Sequence, residues 1–217
     1  MTTAALTPAG MVTAPTRRMA LARLAAATGV ALGGGLLAGC QTAETVPASN
    51  LPPGRQSIAL VNPGFATDAN GRFTGWAMLE HNVGKSYRFE PDAEVFALTS
   101  PTSLRIQRYG PEFYGLAEQR VRVQPEWIGR TVRLSGYLRT RGVTGTGAAL
   151  VLHVRDGSDQ ILVAEQMDGR RVRGDLDWQQ YSVQVRVSER AWWLQVGAML
   201  EDDGTLWVDD LALDLMD

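Results

Sequence analysis

Trp193 and Tyr137 are the two aromatic residues of this sequence whose positions point most directly to binding chemistry. Trp193 is out of phase with Leu194 and Val196, and Tyr137 is out of phase with Leu138. In a β-strand, alternate side chains point to opposite faces, so we expect both rings on a face away from the core. An exposed ring can stack on the apolar face of a sugar, which makes both residues candidate ligand-binding residues.

Four polar side chains share the outward phase of their strands: Arg133, Arg139, His153 and Gln195. If these strands are neighbours, the four residues form one polar and aromatic sheet face with Trp193 and Tyr137. The other interpretation is an arginine-rich sheet face that binds nothing. In both cases Trp192, on the phase opposite to Trp193, is expected in the core.

Catalytic patterns are absent from the sequence. It contains no G-x-S-x-G, no H-E-x-x-H and no glycine-rich phosphate loop. The only histidines are His81 and His153, and residues 201–203 are adjacent acids in an expected turn. Glycosidase carboxylates face each other across a cleft instead. These observations favour a protein that binds without catalysing a reaction.

The single cysteine, Cys40, follows a segment with the layout of an export signal. Residues 1–39 contain no acidic residue, and their three arginines precede an uncharged stretch rich in Ala, Gly and Leu. That stretch, residues 24–39, is shorter than the roughly 20 residues that span a membrane. We expect residues 1–39 to be a helical signal peptide.

The four residues that end in Cys40, Leu37-Ala38-Gly39-Cys40, resemble the lipobox of bacterial lipoproteins. The resemblance implies that the thiol of Cys40 carries a lipid and that the signal is cleaved before it. Two or more acyl chains give stable membrane anchoring. A buried apolar cysteine is the alternative.

The export route and the destination are also suggested by short motifs. The segment 16–21, Thr-Arg-Arg-Met-Ala-Leu, resembles a twin-arginine motif, with an ordinary secretory signal as the alternative. Gln41 follows the cysteine, and in this class of lipoprotein a residue other than Asp there implies the outer membrane. The expected location is therefore the outer membrane, facing the periplasm.

Composition limits the partners and the domain organisation. Without the signal, 18 basic residues face 23 acidic ones, a formal charge of −5, which argues against nucleic acid as a partner. Residues 40–56 are polar and rich in proline, so we expect a flexible tether. Residues 57–217 are long enough for one domain with its own core.

The domain sequence is dominated by period-two alternation, which predicts an all-β fold. Alternating segments occur around residues 121–123, 132–138, 150–154, 181–187 and 192–196. Glycine-rich turns are expected between them, including one at residues 142–147, and a short helical turn is expected within 124–129. We predict two antiparallel sheets with these residues buried between them: Val183, Val185, Leu194, Val196 and Leu211. Five aromatic residues are also expected in the core: Trp76, Trp178, Tyr181, Trp192 and Trp207.

Three segments resemble carbohydrate-binding modules of the family 4/9 type. They are residues 60–65 (LVNPGF) followed by Gly75-Trp76, residues 177–181 (DWQQY) and residues 204–211 (GTLWVDDL). Residues 165–210 also resemble accessory domains of secreted bacterial hydrolases. The resemblance implies a galactose-binding-like jelly roll over about residues 57–215.

Many modules of this type hold a structural calcium ion, for which Asp209 and Asp210 are the matching residues here. The acidic residue expected after Phe65 is replaced by Ala66. Because calcium takes six to eight oxygen ligands, this replacement weakens the match. The alternative is that both aspartates serve turn hydrogen bonding, and we expect no other cofactor.

Two functions from different classes fit these observations. The first is a lipid-anchored, non-catalytic module that binds a carbohydrate or another polymer of the cell envelope. The second is an envelope lipoprotein whose β-sandwich binds another protein and no sugar.

Overall fold

The computed structural model describes residues 54–82, 84–97 and 101–217, and in them the chain is built from antiparallel β-strands. The strands are β1 (Arg55–Ile58), β2 (Ala77–Glu80), β3 (Tyr87–Asp92), β4 (Ser103–Arg108), β5 (Tyr114–Arg122), β6 (Thr131–Arg155), β7 (Ile161–Glu165), β8 (Val172–Arg186), β9 (Trp193–Glu201) and β10 (Thr205–Met216). The expected helical turn is confirmed as a single-turn 3₁₀ helix, Pro125–Trp127, between β5 and β6. The all-β prediction is confirmed.

The N-terminal predictions fall mainly outside the described residues. The signal peptide (1–39), Cys40 and residues 41–53 of the tether all lie there. Strand β1 starts at Arg55, two residues before the expected start of the domain, because Arg55 and Gln56 pair with Met216 and Leu215 of β10. Within the described ranges, no helix has the length and apolar character needed to cross a bilayer.

Strand β6 differs from the sequence prediction, because the segments around 132–138 and 150–154 belong to one strand of 25 residues. The glycines expected to form a turn between them bend the strand instead. Gly142, Gly145 and Gly147 have φ values of 60°, 62° and 104°, which residues with a Cβ rarely adopt. The pairing register of β6 with β8 shifts at this bend, so the strand changes direction without reversing.

The bend in β6 divides the sheet into two halves. The strand order is β2-β5-β9-β6-β10-β4-β3, with β1 on β10 and with β7 and β8 on β6. Residues 147–155 of β6 pair with β9, whereas residues 131–141 pair with β10. Apolar side chains from both halves meet in one buried cluster, as a sandwich requires. The five aliphatic residues predicted for this core are at most 5% exposed, which confirms the predicted phase.

The first motif of the resemblance builds an aromatic corner of this core. The Trp76 ring lies 4.7 Å from the Phe65 ring, and its Nε1 donates a hydrogen bond to the carbonyl oxygen of Asn62 at 2.8 Å. The Gln119 side chain accepts from the amide of Val61 and donates to its carbonyl, each at 2.8 Å. The motif is therefore tied to β5, the strand that carries part of the site described below.

Three further aromatic residues predicted for the core lie elsewhere or only partly within it. Trp207 is buried on the outer face of its sheet, where Nε1 donates to Asp92 Oδ2 at 2.9 Å, because its neighbours Leu206 and Val208 take the core phase. Tyr181 packs against the core but is only half-buried. Trp178 is half-buried and outside the core cluster.

Candidate functional site

The outward face of β5, β9 and residues 147–155 of β6 carries the candidate site and is called the groove face here. The cross-strand register places Trp193 between Arg122 of β5 and Arg155 of β6. In the next row, Gln195 lies between Arg120 and His153. Because side chains in register on one face lie within about 5.5 Å of each other, these rows form a continuous surface.

Gln195 is the centre of a hydrogen-bond network on this face. Its Oε1 accepts from Arg155 Nε at 2.6 Å and lies 3.2 Å from His153 Nδ1. Its Nε2 donates to the carboxylate of Glu118. The amide orientation is fixed by these partners, because the nitrogen faces a carboxylate and the oxygen faces a guanidinium.

Charged neighbours hold this network at the edge of the groove face. Arg120 donates to Asp159 at 2.9 Å and lies 3.3 Å from Glu118. Arg155 donates to the Asp159 carbonyl at 2.7 Å. The loop between β6 and β7 is thereby fastened across the groove face by two arginines.

His153 is the most informative group of the site. It is 8% exposed, and its Nε2 has no hydrogen-bond partner among the described residues. Burial lowers the pKa of the imidazole, so it is neutral near pH 7. Because Gln195 Oε1 can only accept, Nδ1 carries the proton and Nε2 is left as an acceptor.

His153 also lines a cavity of about 270 Å³. The lining residues include Tyr114, His153, Ile161, Gln166, Gln195 and Glu201. The floor is a second apolar cluster, separate from the main core, made of Leu116, Val151 and Met199. An apolar floor bordered by polar side chains matches the apolar face and the hydroxyl groups that a sugar ring presents.

Trp193 lies at one end of this face, half-buried rather than fully exposed. The prediction that Trp192 is a core residue is wrong, because its ring is 47% exposed. Its backbone still pairs, with its amide donating to Arg155 and its carbonyl accepting from Val123. Trp192 precedes β9 at the edge of the sandwich. Its side chain points to the same side of the sheet as Leu194, but it lies beyond the end of the core.

The structure brings together only three of the six predicted ligand-binding residues. Trp193, Gln195 and His153 share the groove face, whereas Tyr137, Arg133 and Arg139 lie on the other half of the sheet. There Tyr137 pairs with Asp209 and Gln180, and the predicted common face does not form. The bend in β6 separates the two groups.

On the other half of the sheet, Arg139 contacts an aromatic ring and an acidic side chain. The Arg139 guanidinium carbon lies 5.6 Å from the Trp207 ring centroid, and its Nε lies 3.8 Å from Asp177. Arg133 is in register with Asp214 and Gln184. Arg133 and Arg139 therefore lie on the outer face of this half.

Asp209, the first candidate calcium ligand, is fully buried and holds a loop. Its Oδ2 accepts from the amide of Ala97 and its Oδ1 from the amide of Asp210, both at 2.8 Å. Asp210 lies in a bulge of β10 at φ 48°. In the described part of the chain, no group of three His, Cys, Asp or Glu side chains is arranged to hold a metal ion. The calcium site stays a prediction.

Sequence reasoning missed several residues of the groove face. Leu116 and Met199 form its floor, Tyr114 closes one end, and Arg122 lies beside Trp193 at the other. The alternation of apolar and polar residues in β5 and β9 predicts on which side of the sheet these side chains lie. No local signal indicated that these strands are neighbours.

Comparison with known proteins gives one sequence relative and several similar folds. No family model matches the chain. The uncharacterized HTH-type transcriptional regulator YbfP of Bacillus subtilis (strain 168) is 28% identical over 91 residues, 42% of this chain and 30% of that protein. The chain thus spans less than a third of that relative's length.

Among solved structures, the enzymatically active domain of tailspike protein 4 of bacteriophage CBA120 has a TM-score of 0.53 at 10% identity, covering 71% of this chain and 22% of that one. The arabinose-bound α-L-arabinofuranosidase MgGH51 has a TM-score of 0.51 at 15% identity, covering 72% and 26%. A CBM4 structure has a TM-score of 0.49 at 14% identity, covering 73% and 100%. At these identities the tailspike and arabinofuranosidase matches show a shared fold: an antiparallel β-sandwich of the jelly-roll type.

Proposed function

We propose that this chain is a lipid-anchored, non-catalytic protein that binds a carbohydrate along the groove face. The observation that carries the proposal is a cavity whose floor is apolar and whose lining includes the polar side chains of His153, Gln166 and Gln195. The hydroxyl groups of a sugar would bond to these polar side chains while the apolar face of its ring rests on the floor.

The aromatic residues at the two ends support an extended ligand. Trp193 lies at one end and Tyr114 at the other, with the polar row of Gln195 and His153 between them. Rings at both ends can stack on separate sugar units of one chain. The similar fold of an arabinose-bound arabinofuranosidase is in keeping with a sugar ligand.

The carboxylates of the groove face support binding without catalysis. Glu118 accepts from Gln195 and pairs with Arg120, and Glu201 pairs with Arg171 at 3.0 Å. General acid or base work on a glycosidic bond needs two carboxyl groups free to exchange protons across the substrate. These two are held by cations and amides instead.

A glycan array probed with the full-length protein tests the proposal, followed by calorimetry on the best ligand. We expect Trp193→Ala to raise the Kd at least tenfold, about 1.4 kcal/mol, without unfolding the protein. Tyr109→Ala is the matched control, because this ring is 52% exposed and lies outside the groove face. Equal losses in both variants, or no bound glycan, would refute the proposal.

One observation favours the protein-binding alternative. Phe113 is 62% exposed, and its ring packs edge-on at 5.1 Å from His81, beside Tyr114. Exposed aromatic groups of this kind also mark protein interfaces. If no glycan binds, while Phe113→Ala abolishes a cross-link to an envelope protein that forms with the wild type, the alternative replaces the first proposal.

A further inference from the structure

Arg122 occupies an unusual position at the Trp193 end of the groove face. Its guanidinium carbon lies 3.0 Å from the centroid of the Trp192 ring and 5.2 Å from that of Trp193. The side chain is half-buried. The cation is therefore held against two indole rings, an arrangement stabilised by the electrostatics of the ring faces.

The other arginines of the groove face are neutralised, and Arg122 is not. Arg120 pairs with Asp159 and Glu118, and Arg155 also lies within 3.5 Å of Asp159. Within residues 54–82, 84–97 and 101–217, the arginine–carboxylate pairs do not include Arg122, whose neighbours are the two indole rings. Contact with ring faces leaves the N–H groups along the guanidinium edge free to donate.

A second cavity of about 590 Å³ adjoins this arginine. Its lining includes Arg122, Gln124, Glu189, Arg190 and Trp192. Arg190 is paired with Asp156 at 2.9 Å, so Arg122 is the guanidinium of this lining that keeps its donors for a ligand. The exposed part of the Trp192 ring supplies an apolar wall beside these donors.

We infer that the ligand of the groove face is an anionic glycan whose charged group binds Arg122 at the end marked by Trp192 and Trp193. This inference rests on the proposed function and narrows it to sugars that carry a carboxylate or a sulfate. The planar guanidinium donates two parallel hydrogen bonds to such an anion, which a lysine does not match. The indole rings fix the plane of the Arg122 guanidinium group and stack on the sugar that bears the charge.

The test compares polymers that differ only in charge, using the full-length protein in affinity electrophoresis. The first pair is polygalacturonate and its carboxyl-reduced form, and the second is κ-carrageenan and its desulfated form. We expect the wild type to bind the charged member of one pair at least tenfold more tightly than its neutral form. The pair that shows this preference identifies the anion as a carboxylate or a sulfate.

Arg122→Gln should abolish the preference while binding to the neutral member persists. Arg88→Gln is the matched control, because Arg88 also stacks on an aromatic ring, that of Tyr109 at 4.9 Å, but lies on β3. Retention of the preference in Arg122→Gln, or its loss in Arg88→Gln as well, overturns the inference.

Different experimental results would overturn the anion inference and the proposal of carbohydrate binding. Equal binding of charged and neutral polymers overturns the anion inference and leaves carbohydrate binding standing. If none of the four polymers binds, the inference is overturned, and the glycan array decides separately on carbohydrate binding. Thermal melting of each variant shows that lost binding is not lost folding.

Discussion

Trp192 and Leu194, two positions apart on the same phase, show how sharply the environment changes at the start of β9. Leu194 is fully buried between the halves of the sheet, whereas Trp192 keeps almost half of its surface in solvent. We expect Leu194→Ala to lower the free energy of unfolding by roughly 2–5 kcal/mol. Trp192→Ala should cost only about 1 kcal/mol, mainly from the lost contact with Arg122. Urea unfolding of both variants checks this, and a larger loss for Trp192→Ala would contradict the placement of its ring.

His153 makes stability depend on pH. Burial holds its pKa below the ordinary value of 6.5, so below pH 6.5 the unfolded chain binds a proton that the folded protein does not. The contribution of His153 therefore destabilises the fold progressively as the pH falls from 7 to 5. We expect the stability of the wild type relative to His153→Gln to fall over this range, as measured by urea unfolding at each pH.

The test of His153 uses the difference in unfolding free energy between the wild type and His153→Gln at each pH. Asp209 is present in both proteins and changes stability with pH in the opposite direction, so its effect cancels in that difference. Burial raises the pKa of Asp209 to about 6, so the folded protein retains a proton that the unfolded chain releases above pH 4. Its contribution therefore destabilises the fold as the pH rises from 4 to 6. A difference between wild type and His153→Gln that is independent of pH would contradict the buried, neutral imidazole.

Among the elements, β9 depends on a glycine for its approach to β5. A Cβ on Gly197 would collide with the carbonyl oxygen of Ala117 and lie 3.0 Å from its carbonyl carbon. Because backbone atoms of a central strand cannot move aside cheaply, Gly197→Ala should destabilise the protein by roughly 1–3 kcal/mol.

Gly157→Ala is the control for this prediction. Its added Cβ would meet nothing closer than the Trp192 ring at 3.9 Å, and Gly157 has no positive φ. We expect a change within about 1 kcal/mol of the wild type. Melting temperatures of the two variants check the pair, and equal values would show that β9 and β5 are not held this closely.

Strand β6 connects the two halves of the sheet. Its two parts line different halves, and its apolar residues Leu134 and Leu152 both belong to the main core. The groove face therefore rests on strands buried on their other side. A ligand-binding surface on such strands is held more rigidly than one on loops.

At the scale of the whole molecule, the proposed anchor lies at Cys40, outside the described residues. We propose that a lipid on this thiol attaches the protein to the outer membrane, facing the periplasm, and leaves the groove face to capture envelope polymers. The support is the arginine-bearing, acid-free segment 1–39 that precedes the lipobox-like residues.

Cys40→Ser tests this anchor, because serine offers no thiol for acylation. We expect the variant to incorporate no radiolabelled palmitate and to leave the membrane fraction, while still binding glycan as the wild type does. Gln41→Asp, with Cys40 intact, should shift the protein from the outer to the inner membrane in a density gradient. Equal palmitate labelling of wild type and Cys40→Ser would disprove lipid attachment at this residue.

The sequence by itself determined the direction of most side chains on the strands. Leu194 and Val196 were assigned to the core, and Gln195 to the opposite face, because strand geometry turns successive side chains by a fixed half-turn. This local rule also gave the all-β fold. The rule failed at Trp192, whose side chain points to the core side of the sheet but lies beyond the last buried residues of the core.

Only the tertiary structure decided which outward residues share a face. His153 and Tyr137 have the same phase on one strand, yet the bend at the glycines between them places them on different halves of the sheet. Likewise, Met199 meets Leu116 through pairing of strands far apart in the chain. Alternation fixes the face of each strand separately, but the choice of neighbours depends on burying all the apolar faces at once, and that is settled only when the whole core packs.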